Sequence, residues 1–287
     1  MAALLVLRAQ LGRDEQPDAP KGVELIADPG TTLREGEKLS LECLVKSSNP
    51  AVLELQWWKN NHRTSGRIYG NRMEIGPLGR QHSGRYRCKA RNKFGTTESK
   101  ELTIDVQYPP KETKSPFRSR TIKENDTITL ECSFIAKPPI TKYEWYKKPS
   151  TSAIGSQKQL HFQAIRPSDS GTYYCQVYNP IGGSNSSLVM LDVHYPPKEP
   201  QISFSRSTVQ GKDAVSLHCW STARPPITHY EWYKCPAEDI FSSQQELHFQ
   251  AIQPNDSGGY YCKAYNPIGQ SNSSVLTLNI HGADVCN

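Results

Sequence analysis

The sequence predicts an all-β protein in which three sandwich domains follow one another in a rod-like chain. Three observations lead to this prediction. The 287-residue sequence repeats itself at an interval of 87 residues, six of its eight cysteines form three pairs of nearly constant spacing, and apolar residues alternate with polar ones around those cysteines. A fixed period indicates one structural unit per repeat, and alternation with a period of two is typical of strands with one buried face.

The clearest repeat is GTYYCQVYNPIGGSNSS at 171–187, which returns as GGYYCKAYNPIGQSNSS at 258–274 with 13 of 17 positions identical. The same shift superposes YEWYK at 143–147 on YEWYK at 230–234, and the first third of the chain matches more loosely. The shared Asn-Pro-Ile-Gly predicts a tight turn between two strands, in which the glycine adopts the left-handed conformation. We interpret the phrase as a duplicated piece of fold rather than a duplicated active site.

Each repeat contains a cysteine, a tryptophan 13 or 14 residues later, and a Ser-Gly-x-Tyr-x-Cys segment. This is the pattern of immunoglobulin-like sandwiches, in which a disulfide joins the two sheets, the tryptophan packs against it and the tyrosine forms a corner. The predicted disulfides are Cys43–Cys88, Cys132–Cys175 and Cys219–Cys262, and the predicted core aromatics are Trp57, Trp145, Trp232, Tyr86, Tyr173 and Tyr260. The short cysteine spacing leaves no room for two extra strands, so we expect constant- or intermediate-type domains.

The domain boundaries follow from Tyr-Pro-Pro-Lys, which recurs at 108–111 and 195–198. We expect immunoglobulin-like domains at 22–108, 109–195 and 196–281, after an N-terminal segment 1–21 and before a tail 282–287. The N-terminal segment reads as a poor or partial secretory signal that is disordered. Paired prolines favour an extended, semi-rigid joint.

Two cysteines, Cys235 and Cys286, lie outside the regular pairs, because Lys148 and Glu199 stand at their equivalents in the second repeat. One interpretation is a bridge between them at the far pole of the third domain. The other is that one or both remain free or pair between chains.

Composition and motifs exclude several function classes. The net charge of +6 is small against 62 charged residues and does not by itself indicate nucleic acid. No apolar run approaches the length of a membrane span, and no catalytic, phosphate-binding or zinc-ligand spacing occurs. We therefore expect no enzyme, no cofactor and no metal site.

Four Asn-x-Ser/Thr sequons predict N-glycosylation in an oxidising, extracellular compartment. They begin at Asn125, Asn185, Asn255 and Asn272. Asn185 and Asn272 occupy equivalent places near the last strand of their domains, whereas Asn255 lies inside a tight corner and is the weakest candidate.

The first domain carries the sharpest functional signal. Ten basic residues lie between Lys59 and Lys93, and the only acid among them is Glu74. We expect a possible acidic-ligand face built from Arg63, Arg67, Arg85, Arg87, Lys89 and Arg91. The alternative is a solvated basic face without a ligand.

Several segments together resemble the sialic-acid-binding immunoglobulin-like lectins. They are REGEKLSLEC, SNPAVLELQWWKN, HSGRYRCKARNKFG and the Tyr-Pro-Pro-Lys joints, and the resemblance covers about residues 22–281. It implies spacer and adhesion domains of a cell-surface receptor that modulates immune-cell signalling. The implied location is the extracellular side of the cell membrane, with attachment through a segment missing from this chain, or secretion if the chain ends at Asn287.

The implied partners are cell-surface glycoproteins or acidic glycans and not nucleic acid. The sialic-acid site itself is not carried over, because the first domain keeps Cys88 and has Lys89 where the family's variable-type domain has its essential arginine. Two alternatives remain open. One is an Fc-receptor-like or carcinoembryonic-type tandem receptor, and the other is a secreted glycan-binding decoy that uses the basic face.

Overall fold

The computed structural model describes residues 16–64, 66–117, 121–204 and 212–280. Most of the predicted N-terminal segment 1–21, the predicted tail 282–287 and Cys286 lie outside the described residues. The described residues form two compact units. The first unit contains residues 16–113 together with Phe134–Lys142 and Val177–Ser184. The second unit contains the remaining described residues, which are the other parts of the second repeat and the whole described third repeat.

The first repeat forms a sandwich of two sheets. Its strands are β1 (Asp18–Asp28), β2 (Thr32–Arg34), β3 (Leu39–Asn49), β4 (Glu54–Lys59), β5 (His62–Thr64), β6 (Arg67–Tyr69), β7 (Arg72–Ile75), β8 (Gly84–Asn92), β9 (Gly95–Glu98) and β10 (Leu102–Lys114). One sheet has the order β1-β3-β7-β6, and the other contains β10-β8-β4-β5 with β9 beside β8. The short strand β2 pairs in parallel with β10.

The second and third repeats form sandwiches of the same kind. The strands of the second are β11 (Ile122–Lys123), β12 (Ile128–Glu131), β13 (Ser133–Lys137), β14 (Lys142–Lys147), β15 (Ala153–Gly155), β16 (Gln159–Phe162), β17 (Gly171–Asn179), β18 (Gly182–Asn185), β19 (Val189–Leu191) and β20 (Val193–Phe204). Those of the third are β21 (Val215–Arg224), β22 (His229–Lys234), β23 (Ile240–Ser242), β24 (Glu246–Phe249), β25 (Gly258–Asn266), β26 (Gly269–Asn272) and β27 (Leu276–Leu278). Strand β22 pairs with β23 on one side and with β25 on the other, and β25 continues to β26. The predicted fold class, three tandem immunoglobulin-like sandwiches, is confirmed.

The core of each sandwich lies around its disulfide. The structure joins Cys43 to Cys88, Cys132 to Cys175 and Cys219 to Cys262, with Cα–Cα distances of 6.1, 6.1 and 6.4 Å. The predicted tryptophans and tyrosines are all buried, at 2% exposure or less. The indole N–H groups of Trp145 and Trp232 donate to the carbonyls of Gln157 and Gln244, both at 3.0 Å. The indole nitrogen of Trp57 is buried without a hydrogen-bond partner.

A corner before the strand of the second cysteine is built in the same way in every repeat. One-turn 3₁₀ helices, Arg80–His82, Pro167–Asp169 and Pro254–Asp256, precede β8, β17 and β25. The tyrosine hydroxyls donate to the last carbonyls of these helices, at 2.9 Å for Tyr86, 2.6 Å for Tyr173 and 2.8 Å for Tyr260. Burial raises the pKa of each of these tyrosines to about 12. The tyrosine thus fixes the turn that brings the second cysteine into the core.

A lysine closes each corner from the neighbouring strand. Lys147 and Lys234 donate to the carbonyls of Ser168 and Asn255, both at 2.6 Å, and Lys59 donates to the carbonyl of Gln81. The lysine stem passes over the glycine that begins the next strand, so a Cβ added at Gly171 would lie 2.8 Å from Lys147 Cε. This glycine has a positive φ of 150°, a conformation that side-chain-bearing residues rarely adopt.

The turn in the repeated phrase differs from the prediction. Gly182 is not among the described glycines with positive φ, so the predicted left-handed conformation is wrong. The turn is held by Asn179 instead, whose side-chain oxygen accepts the N–H groups of Ile181 and Gly182 at 3.0 and 3.1 Å. An amide side chain that satisfies the turn removes the need for a left-handed residue.

The same asparagine ties its domain to the incoming linker. Asn179 Nδ2 donates to the carbonyls of Tyr108 and Pro138, both at 2.9 Å. In the third repeat Asn266 Nδ2 donates to Tyr195 at 2.8 Å and to Pro225 at 2.9 Å. In each domain the asparagine therefore joins three segments at one point. They are the turn after its own strand (β17–β18 or β25–β26), the loop before the tryptophan strand (β13–β14 or β21–β22) and the tyrosine of the Tyr-Pro-Pro-Lys joint.

Candidate ligand-binding face

The candidate face is the outer surface of strands β4, β5, β8 and β9 in the first domain. Strand β8 turns Tyr86, Cys88 and Ala90 into the core, where each is at most 2% exposed. The alternation of a strand then directs the intervening residues outward. These are Arg85, Arg87, Lys89 and Arg91.

The strand register aligns residues of neighbouring strands in rows. Trp58 of β4 pairs with Arg87 on one side and Arg63 on the other. Lys89 lies between Gln56 and Glu98, and Arg91 pairs with Glu54. Five of the six predicted residues therefore belong to one sheet.

Arg67 does not belong to this face, and its inclusion in the prediction is wrong. It lies on β6, in the opposite sheet, where it pairs with Glu74 of β7. The chain passes from one sheet to the other between Thr64 at the end of β5 and Arg67 at the start of β6. The sequence shows the cluster of cations but not this crossing.

Three carboxylates from outside the basic segment lie among the cations. Glu54 contacts Arg63 at 3.2 Å and Arg91 at 3.3 Å. Glu98 contacts Arg87 at 3.1 Å and Lys89 at 2.5 Å. Arg85 and Glu101 form a separate ion pair at 3.5 Å. Five cations thus meet three carboxylates, and the face keeps an excess of positive charge.

The centre and the rim of the face differ in exposure. The side chains of Arg87 and Lys89 are 26% and 21% exposed, whereas those of Arg63, Arg85 and Arg91 are 57–64% exposed. The Lys89 ammonium lies 4.3 Å from the centroid of the Trp58 ring, a cation–π contact. The hydrogen bond from Lys89, together with the charges of Lys89 and Arg87, lowers the pKa of Glu98. The centre is held in place, and the rim arginines are the groups open to a partner.

Lys59, the first cation of the basic segment, is not available to a ligand. Its ammonium group binds the Gln81 carbonyl and lies 5.8 Å from the Tyr86 ring centroid. Burial lowers its pKa. Lys147 and Lys234 make the same contacts in the other repeats, so Lys59 has a structural role.

The other predicted sites lie on separate surfaces. All four sequon asparagines are exposed. In the described ranges no group of three or more His, Cys, Asp or Glu side chains is placed to hold a metal ion, and no helix there has the length and hydrophobicity needed to cross a bilayer. The partner predicted for Cys235, Cys286, is not described, and that bridge stays a prediction.

Comparison with known proteins identifies the family of this chain. The model of the family described as "Immunoglobulin domain" matches residues 24–92, 109–179 and 199–266. The chain belongs to the immunoglobulin-domain family. The titin domains I67–I69, an E-to-A mutated variant of known structure, superpose with a TM-score of 0.53 at 22% identity, over 91% of this chain and 100% of that one. That likeness concerns the fold alone.

Two curated relatives show which kind of immunoglobulin-domain protein this chain resembles. The chain is 31% identical to the B-cell receptor CD22 of Mus musculus over 273 residues, which are 92% of this chain and 30% of that protein. It is 27% identical to Kin of IRRE-like protein 3 of Homo sapiens, over 94% of this chain and 35% of that protein. This chain spans about a third of the length of these relatives. The similarity to CD22 confirms the predicted resemblance, and the relatives are cell-surface adhesion and receptor proteins of the immunoglobulin superfamily.

Proposed function

We propose that this chain is part of the extracellular region of a cell-surface adhesion receptor, and that its first domain contacts an acidic partner. Three disulfides, one in each sandwich, call for an oxidising compartment. The similarity to a B-cell receptor and to Kin of IRRE-like protein 3 supports the same location. The second and third domains act as spacers that set the reach of the first.

The observation that carries the proposal is the excess of cations on one sheet face of the first domain. At the positions of Arg85, Arg87 and Lys89, the second repeat has Thr172, Tyr174 and Gln176. The domains share their core, so this difference is confined to the surface. A partner of this face is an acidic cell-surface glycan or glycoprotein.

The internal ion pairs do not close the face to a ligand. Exposed pairs contribute about 0–1 kcal/mol each, because water and salt screen them. A sulfate or carboxylate that meets an arginine in a bidentate arrangement competes with such a pair. Arg63 and Arg91 share the single carboxylate of Glu54, which leaves donors of both guanidinium groups open.

The test compares two triple variants of the chain secreted from animal cells. One is Arg63→Ala/Arg85→Ala/Arg91→Ala. The control, Lys46→Ala/Arg67→Ala/Arg72→Ala, removes the same charge from the same domain, and Lys46 and Arg72 also lose ion pairs there, with Glu24 and Glu42. Binding to immobilised heparin and to polysialic acid is measured over a range of salt concentrations.

The first variant is expected to lose about tenfold or more in affinity, from three contacts of about 0.5 kcal/mol each. The control is expected to lose much less, and binding by the unmodified chain should weaken as salt rises. Equal losses in the two variants would contradict a binding role for this face. Binding that did not depend on salt would do the same.

A further inference from the structure

Pairs of stacked tyrosines lie on the outer sheet faces of the second and third domains. The rings of Tyr146 and Tyr174 are 5.2 Å apart with an interplanar angle of 16°. Those of Tyr233 and Tyr261 are 5.0 Å apart at 9°. Tyr146, Tyr174 and Tyr261 are partly exposed, whereas Tyr233 is 6% exposed and is covered by Lys263, whose ammonium lies 4.5 Å from the Tyr233 ring centroid. The proposed role of the two domains as spacers does not use these rings.

A sequon asparagine lies beside the pair in the third domain. Asn272 of β26 pairs with Lys263 of β25, and Lys263 pairs in turn with Glu231 of β22. Tyr261 lies two residues before Lys263 on the same face, and it pairs with Tyr233. A residue and its diagonal cross-strand neighbour are about 7–8 Å apart, so Asn272 projects from the same surface as Tyr261 and close to it. Tyr233 lies one strand further away.

The second domain repeats this arrangement at the offset of 87 residues. Asn185 corresponds to Asn272, and Tyr174 corresponds to Tyr261. The register is the same, because Ser186 N–H donates to the Cys175 carbonyl at 2.8 Å and Ser273 N–H donates to the Cys262 carbonyl at 2.8 Å.

Both sequon amides are open for modification. Asn185 and Asn272 are exposed, and neither side chain makes a hydrogen bond within the described ranges. The Ser257 hydroxyl of the Asn255 sequon accepts the Ile280 N–H at 3.1 Å. All four sequon asparagines are exposed, and Asn185 and Asn272 are the two that lie next to a tyrosine pair.

The first domain lacks both parts of the arrangement. Glu98 stands at the sequon position and pairs with Arg87 and Lys89. Trp58 and Arg87 replace the two tyrosines. The asparagine and the aromatic pair are therefore present together in two domains and absent together in the third.

We propose that Asn185 and Asn272 carry N-glycans whose first N-acetylglucosamine packs on the partly exposed ring of the neighbouring tyrosine, Tyr174 in the second domain and Tyr261 in the third, each held in place by its stacked partner. One face of the sugar ring presents C–H groups, which gain by covering partly exposed aromatic surface. The glycans then cover the outer faces of the second and third domains and leave the cationic face of the first domain accessible. The inference rests on the extracellular location in the proposed function.

The test uses the full chain secreted from animal cells, with site occupancy read by glycopeptide mass spectrometry. One portion is trimmed enzymatically to a single N-acetylglucosamine per site and another is fully deglycosylated. The melting temperatures of the two portions are compared in the wild type, in Tyr174→Ser/Tyr261→Ser and in Asn125→Gln. Asn125 serves as the control sequon, because it lies on the turn after β11 and outside the tyrosine faces.

The trimmed wild type is expected to melt about 2–4 °C above the deglycosylated form. The difference should vanish in the tyrosine variant and persist in Asn125→Gln. The acetyl methyl protons of the retained sugars should be shifted upfield by the rings in the wild type and in Asn125→Gln, and not in the tyrosine variant. An equal melting difference in the tyrosine variant would overturn the packing.

Occupancy separates this inference from the proposed location. Glycan at Asn125 but none at Asn185 and Asn272 would overturn the inference and leave the location standing. A secreted chain with no glycan at any sequon would count against both.

Discussion

We predict that His82 makes the first domain sensitive to acid in a way that the other domains are not. Its Nδ1 accepts the Gly79 N–H at 2.8 Å. In the other repeats a carboxylate takes this place, with Asp169 accepting from Arg166 and Asp256 from Gln253, both at 2.8 Å. Only an unprotonated Nδ1 can accept this hydrogen bond.

The direction of the effect follows from the pKa. Burial, and then the charge of Lys59, lowers the pKa of His82 below its usual value of 6.5. The folded state therefore favours the neutral ring. Its stabilisation is complete above the unfolded pKa and is lost as pH falls through the folded pKa.

The size of the effect is that of one capping hydrogen bond. Loss of such a cap costs about 1 kcal/mol, which lowers the melting temperature of a domain of this size by about 4–8 °C. Lys59 and Tyr86 also face this corner. Burial raises the pKa of Tyr86 to about 12, so Tyr86 does not change charge between pH 7.5 and pH 5 and adds no slope of its own.

The assay is calorimetric unfolding of the full chain between pH 7.5 and pH 5, with His82→Asp as the test variant. The wild-type first domain is expected to lose about 1 kcal/mol over this range, and the variant should lose less. His161→Asn, which removes an exposed histidine bonded to Thr129, should behave as the wild type. Identical pH profiles for the wild type and His82→Asp would refute the reasoning.

Two further predictions concern repeated features of the fold, and a third concerns the two cysteines outside the regular pairs. Asn266→Ala removes four hydrogen bonds at one point and should cost about 2–4 kcal/mol in urea unfolding; a cost below 0.5 kcal/mol would contradict the role of the joint. Gly171→Ala places a Cβ against Lys147 at a positive φ and should cost about 1–3 kcal/mol, with part of the cost recovered in the double variant with Lys147→Ala. Without that recovery, the lysine is not the source of the conflict. Non-reducing peptide mapping should find Cys235 and Cys286 in one linked peptide, and alkylation of either as a free thiol would rule out the predicted bridge.

Much of the fold could be predicted from the sequence because its determinants are local and repeated. Paired cysteines, one tryptophan between them and a tyrosine two residues before the second cysteine define a sandwich core. The structure places the residues named from this pattern in the three cores. A period of two also showed correctly which side chains of β8 point outward.

The candidate site was harder to predict because it depends on neighbouring strands. A count of charges between residues 59 and 93 missed Glu54, Glu98 and Glu101. Strand pairing brings Glu54 of β4 and Glu98 of β9 to the cations of β8, and Glu101, just before β10, contacts Arg85. The same count included Arg67, which lies in the other sheet. Alternation fixes the face of one strand, but only the register shows which charges meet.

The structural role of the three lysines that bind the corner carbonyls was not predicted from the sequence, although the sequence repeats these lysines. Lys147 and Lys234 end the repeated YEWYK segment, and Lys59 ends QWWK. Repetition in all three domains marks a residue as part of the fold, whereas the cations at Arg85 and Arg87 have no counterpart in the second or third domain. Lys89 is matched by Lys263, and both lie over an aromatic ring of the neighbouring strand. Comparison between repeats thus separates structural cations from candidate binding cations.

Photo-crosslinking from the two sheet faces of the first domain tests the central claim most directly. A photoreactive residue is placed at Thr96, which is exposed and pairs with Arg91 on the cationic face, or at Ser40, which pairs with Glu74 on the opposite sheet. The chain is then irradiated on cells with sialylated and sulfated surfaces. We expect crosslinks from Thr96 that disappear at high salt and in Arg63→Ala/Arg85→Ala/Arg91→Ala. Crosslinks of equal yield from Ser40, or crosslinks from Thr96 that survive the triple substitution, would contradict the account.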